Sequence, residues 1–262
     1  MAAFDKAVKI SARPVIWNNI AYQLTLKGAH PEIARRYAES ALTTIAASLR
    51  NLSLDQLNPR EIGTTSSLAS CWDTLGWVEF TDGNLDKAQK YLSASWLLGQ
   101  RADSADHLGQ FYEKQGDKER ATHFYALAMN ARRPGAETRR RLANLAGGND
   151  KVDAIVEKSR DELAGQRTIE LSNTPKQEGK ADFFLLLTNG PGLEMSVDDV
   201  KFASGDEKLK VFADALRSAR YGQTLPDETP LKVLRRGTLS CIASTTDCTL
   251  LLALPSDVKS VD

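Results

Sequence analysis

Two stretches of the chain align at one constant offset, and that offset limits the fold more than any other feature. "WDTLGWVEFTDGNLDKAQKYLSAS" and "ADHLGQFYEKQGDKERATHFYALA" place Leu75 against Leu108, Gly76 against Gly109, Gly83 against Gly116 and Ala88 against Ala121, each pair 33 residues apart. Repetition at a period of this size marks supersecondary units that stack on one another. Within one copy, Trp72, Leu75, Gly76 and Phe80 share a face of a first helix. Leu85, Ala88, Leu92 and Ser95 share a face of a second. Gly76 and Ala88 let the two backbones approach, and Gly83 supplies the permissive backbone of the turn between them. Neither helix pair can bury its face alone, so neighbours must stack.

A looser third copy opens the chain in "WNNIAYQLTLKGAHPEIARRYAESAL". Trp17, Ile20, Ala21 and Gly28 repeat the offsets of Trp72, Leu75, Gly76 and Gly83, while the second helix slips by one residue, with Ala34 where strict register puts Ile33. Trp17 and Trp72 are 55 residues apart against a period of 33, so about 20 residues are inserted between the copies. "NLSLDQLNPREIGTTSS" is the expected insertion, read as a loop from Pro59 and Gly63. "AETRRRLANLAGG" reads as a solvated cap helix ending at Gly147 and Gly148.

Over residues 15 to 133 this pattern of Trp, Leu-Gly, Gly, Ala and aromatic positions resembles the tetratricopeptide repeat (TPR). Glu79 and Ser95 depart from it, standing where an aromatic and an Ala are usual. The resemblance implies an all-α superhelix of about three repeats whose first helices line a concave, partner-binding groove. The residues expected to face it are Asn18, Tyr22, Asp73, Trp77, Phe80, Gln110, Glu113 and Lys114. Trp77 and Phe80 are expected as exposed apolar anchors, with Asn18, Asp73 and Lys114 setting orientation. Asp73 and Gln110 stand where a clamp for a C-terminal carboxylate would need basic or amide groups, which argues against that partner class.

Beyond the repeats the pattern changes from helical to mixed. A helix from about Val152 to Ala164 leads to a short strand, "RTIEL", and a polar linker, "SNTPKQEGK". "ADFFLLL" and "VDDVKFAS" are expected strands flanking a "GPG" turn, with Val200 and Phe202 on one face. "GDEKLKVFADALRSARY" follows as a helix with Asp206 and Glu207 in its first turn and Leu209, Phe212, Ala213 and Leu216 as its buried stripe. "LKVLRRGTLSC" and "CTLLLAL" close as a hairpin, the run from Leu250 to Leu254 suiting a strand covered on both faces. The fold class is therefore α+β: a TPR α-solenoid over 1–148, a helix, strand and linker over 149–180, and a small β-β-α-β-β domain over 181–262.

With Tyr221 and Pro226 after its helix, the last domain is similar to the small C-terminal module of TonB-type proteins. Together, "WDTLGWVEF", "DHLGQFYEKQG" and "VDDVKFASGDEKLK" resemble the C-terminal region of large bacterial transglutaminase-like proteins. That implies a catalytic domain upstream, and the abrupt start at "MAAFDKAVKIS" reads as that of a fragment. It transfers no catalytic residue onto this sequence. Cys241 and Cys248 would lie on opposite arms of the last hairpin, where a bridge and two buried thiols are both compatible with the spacing. The resemblance points to exported parents and so to the bridge and a periplasmic or envelope location; without it, the cytoplasm fits equally.

Lys plus Arg equals Asp plus Glu at 34 each, so no net charge favours nucleic acid or an anionic membrane. No apolar window is long enough to span a bilayer. There is no G-x-S-x-G, P-loop, G-x-G-x-x-G after a strand or H-E-x-x-H, and neither the three Cys nor the three His show metal-ligand spacing. Cys71 beside Trp72 reads as a small packed residue, and the five Arg between Arg132 and Arg141 as a solvated helix face. The expected function is non-catalytic: a scaffold that takes a protein or peptide segment in its groove, without cofactor or metal. The alternatives are an accessory part of a transglutaminase-like enzyme, or a structural module whose groove is filled from within.

Overall fold

The computed structural model describes residues 13–57, 59–172, 174–189, 194–222, 224–242 and 247–258. The protein is α+β, with helices first and a five-stranded antiparallel sheet after them. It forms two compact units. One runs to Thr44 and resumes over Leu68–Gln166; the other joins Ile45–Ser67 to the chain from Arg167 onward. The division thus falls at Gln166, not at 148 or 180, and the expected insertion goes with the sheet.

The helices are α1 (Pro14–Leu26), α2 (Pro31–Leu49), a short α3 (Pro59–Ile62), α4 (Thr64–Thr81), α5 (Leu85–Gly99), α6 (Ala102–Lys114), α7 (Lys118–Asn130), α8 (Ala136–Ala146), α9 (Val152–Lys158) and α10 (Glu162–Gly165). Local chemistry sets their ends. Pro14 opens α1 with a pre-set φ, and the Asp117 carboxylate accepts from Arg120 N at 3.0 Å to cap α7. The repeat-related turns α4–α5 and α6–α7 pass through Gly83 (φ +83°) and Gly116 (φ +79°), left-handed positions that suit glycine. The close approach expected at Gly76 is present, where a Cβ would lie 2.8 Å from Leu92 Cγ, and at Gly109, its repeat equivalent, a Cβ would lie 2.4 Å from the Tyr125 ring.

Both departures from the repeat pattern have polar partners. Ser95 Oγ donates to Ala69 O and meets Ser104 Oγ, each at 2.8 Å, within the core. The Glu79 carboxylate, 2% exposed, accepts from the Arg35 guanidinium on α2 and from Asn84 Nδ2 at 2.8 Å. Arg35 also donates to Asp82 at 2.7 Å. A charge pair therefore ties α2 to α4 where an aromatic would have packed.

In the second unit the described residues of the inserted segment include two short helical stretches. Leu54–Gln56 is a 3₁₀ turn in which Ser53 Oγ accepts from Asp55 N, and α3 follows it. Lys201 Nζ donates to Leu54 O at 3.0 Å, and the Thr65 hydroxyl accepts from Leu234 N at 3.2 Å. The loop reading fails because Leu52, Leu54 and Ile62 are all buried, which a free loop would not achieve.

The strands are β1 (Thr168–Leu171), β2 (Gly179–Asn189), β3 (Met195–Gly205), β4 (Lys232–Cys241) and β5 (Cys248–Leu252), in spatial order β1-β5-β4-β2-β3. Phe183–Leu187 of β2 are buried throughout, with β3 and β4 on either side. The short strand expected in "RTIEL" is β1, and it forms the sheet edge against β5. The β5 expectation is corrected, since burial alternates along it and Leu251 is 41% exposed, so only one face is covered. The expected single helix after β3 is a 3₁₀ segment, Glu207–Phe212, followed by α11 (Ala213–Ser218), and together they bury Leu209, Phe212 and Leu216. Asp206 lies outside it because it pairs with β2, its carboxylate accepting from Lys180 N and its N–H donating to Lys180 O, both at 2.9 Å.

Cys241 and Cys248 are directly opposed across β4 and β5, and their sulfurs are bonded. Closing so short a loop restricts the unfolded chain modestly. The Cys241→Ser, Cys248→Ser variant is expected to lose about 2 kcal/mol of stability in the sheet unit, seen as a lower urea midpoint; adding reductant should lower the wild-type midpoint to match.

Candidate functional site

The residues expected to line the groove lie in the first unit, on the first helices of the repeats: Asn18 and Tyr22 on α1, Asp73, Trp77 and Phe80 on α4, and Gln110, Glu113 and Lys114 on α6. Several of them converge, around a residue that sequence reasoning passed over. His107 on α6 is 4% exposed. Its Nδ1 lies 3.1 Å from Asp73 Oδ1, and its ring stacks on the Trp77 indole at 4.2 Å between centroids, 16° from parallel. The Tyr22 ring approaches it at 6.0 Å, tilted by 52°. One imidazole thus joins side chains from three helices.

The apolar anchors are where the expectation needs correction. Trp77 and Phe80 are each only 8% exposed. Trp77 is covered by His107 and stacks on Phe80 at 5.0 Å; Phe80 in turn meets Phe111 at 6.0 Å, and Lys114 Nζ sits 4.8 Å above it. The period shows that these residues share a face, while the side chains covering that face come from α6. They form a floor, not protruding anchors. Asn18 and Asp73 are buried as well.

The other expected residues divide by partner. Glu113 is exposed, yet its carboxylate accepts from the Tyr125 hydroxyl at 2.7 Å. Half-buried Gln110 donates to Asp106 at 2.7 Å, and Asp106 also accepts from Arg141 at 3.0 Å. Lys114 and Tyr22 keep exposed or half-exposed surface. Three buried atoms on these helices, Trp17 Nε1, Asn18 Oδ1 and Trp77 Nε1, have no hydrogen-bond partner among the described residues. A donor and an acceptor left without partners in a buried place are costly.

Electrostatics follow from this packing. Burial, reinforced by Asp103, Asp73 and Asp106, pushes the Tyr22 hydroxyl up to about 12. For His107, burial acts to lower the imidazole pKa, but Asp73, followed by Asp106 and Asp103, outweighs it and raises the value above 6.5. Cys71 is buried and its thiol is pushed up to about 12, which makes it a poor nucleophile. Among the described residues no three His, Cys, Asp or Glu side chains come together as a metal site, and no helix is long and apolar enough to cross a membrane. The arginines after α7 reach acids: Arg139 donates to Asp153 at 2.8 Å, Arg140 pairs with Glu137, and Arg141 with Asp106.

In comparison with known proteins, no family model matches this chain and no curated protein matches it significantly.

Proposed function

We propose that the helical unit is a TPR-type superhelix that acts without catalysis, holding an extended protein or peptide segment against α1, α4 and α6. The observation that carries this reading is the set of partnerless buried atoms on α1 and α4. Trp17 Nε1 and Trp77 Nε1 are donors and Asn18 Oδ1 an acceptor, and a peptide backbone presents both complementary functions. Tyr22, Gln110 and Lys114 supply the accessible surface beside them. The Trp77 and Phe80 floor supplies shape. Because that floor is packed, affinity rests on few contacts and is modest.

A second reading draws on the same burial: a structural unit whose face is filled by its own side chains. A third, that the chain is an accessory part of a transglutaminase-like envelope protein, is favoured by the Cys241–Cys248 bond, since disulfides persist in oxidising compartments.

The test is to pan a random-peptide library on the intact chain and measure Kd for an enriched peptide by fluorescence anisotropy. The Lys114→Glu variant changes an exposed side chain at the edge of the floor, and circular dichroism checks that its helices are retained. Its Kd is expected to rise at least about tenfold, a loss of roughly 1.4 kcal/mol. No enriched peptide, or equal binding by the variant, would overturn peptide binding at this face.

A further inference from the structure

The arrangement around His107 does more than fill space. Asp73 faces it from α4 at 3.1 Å, with the Trp77 indole stacked on its ring, and Tyr22 faces it from α1. On its own helix the neighbouring acids are Asp103, which lies 3.7 Å from Arg101, and Asp106, which accepts from Arg141 of α8. An imidazolium in this place has an anion at its nitrogen and an aromatic face against its ring, both of which favour the charged form. Removing its proton leaves the Asp73 carboxylate, whose side chain is 9% exposed, facing a neutral ring. A buried carboxylate that loses its counter-charge is strongly unfavourable.

We propose that His107 is a proton-operated clasp: charged, it holds α1, α4 and α6 together through Tyr22, Trp77 and Asp73, and loss of its proton loosens them. The clasp stands whether or not the face binds a peptide, because it concerns cohesion of the helices themselves.

The direction of the pH effect follows from linkage. A histidine whose folded value lies above its unfolded one contributes stability in full below the unfolded value, 6.5, and loses it as pH rises through the folded value. The helices are therefore tightest in mildly acidic solution and loosen in alkaline solution.

The experiment uses the intact wild-type chain. Imidazole NMR signals are followed from about pH 5 to about pH 9. His30 and His123, with side chains 49% and 43% exposed, are assigned through His30→Gln and His123→Gln, leaving His107 by elimination. Hydrogen exchange is recorded over the same range as the protection of α1 amides relative to α7 amides, a ratio that cancels the intrinsic pH dependence of exchange. The clasp requires His107 to titrate above 6.5 and the relative protection of α1 to fall with the same midpoint. Asp73→Asn, where it folds, should move that titration down and remove the fall. Titration of His107 at or below 6.5, or an α1 protection ratio that stays level through it, overturns the proposal.

Discussion

Gly109→Ala lowers the stability of the helical unit by about 3 kcal/mol, read as a drop in its urea midpoint. Its Cβ would lie 2.4 Å from both Tyr125 Cδ1 and Cε1, closer than atoms can stand. The ring cannot swing aside, because it is fully buried and its hydroxyl donates to Glu113 at 2.7 Å. The intrinsic helix preference for Ala over Gly, about 1 kcal/mol, acts in the opposite direction and is too small to offset the overlap. Gly165 provides the control: it lies in α10 with no atom within 4 Å of an added Cβ, so Gly165→Ala should be neutral or stabilise by up to about 0.5 kcal/mol. Equal effects at the two sites would mean that the α6–α7 approach is not as close as described.

Arg35→Met is expected to cost about 3 kcal/mol, since it leaves the buried Glu79 carboxylate without its counter-charge. Among the described residues the Glu79 carboxylate would keep only Asn84 Nδ2 as a donor. Arg35→Lys should recover little: the guanidinium reaches Glu79 and Asp82 with separate nitrogens, and an ammonium has no such fork. The informative variant is Arg35→Met with Glu79→Leu, which replaces both charges with apolar volume. It should regain most of the loss or exceed wild type, as replaced buried pairs often do. A double-mutant cycle by urea unfolding gives the coupling directly, and additive losses would show that the pair does not tie α2 to α4.

The turns and close contacts of the repeat were legible because they depend on neighbours in sequence. Gly83 and Gly116 have the positive φ their turns need, Gly76 sits against the Leu92 backbone and Gly109 against the Tyr125 ring. What could not be read was which faces something distant covers. The period puts Trp77 and Phe80 on one face, but their burial depends on His107, Phe111 and Lys114, a full repeat away. Leu251 sits in an apolar run and is still exposed, because alternation in β5 is set by pairing and packing, not by composition. Glu79 looked like a mild defect in the repeat until Arg35, 44 residues earlier, was seen to meet it. His107 carried one legible signal, its single-residue separation from Asp106, the repeat equivalent of Asp73; no local rule says that its own partner would be Asp73.

The segment from Ile45 to Ser67 has a consequence for how the molecule is made. It belongs to the sheet unit, yet Leu68–Gln166 are synthesised before Arg167 and the strands that follow. At cellular elongation rates of about 5–20 residues per second, those roughly 100 residues take about 5–20 seconds to emerge. During that interval the apolar side chains of Leu52, Leu54 and Ile62 have left the ribosome without the β-strands of their unit. The nascent chain therefore carries a temporarily sticky stretch, while the helices on either side of it can already pair. The same order means that a gene cut after Gln166 separates that stretch from its strands, and a minimal sheet unit must carry Ile45–Ser67 joined to the chain from Arg167 onward.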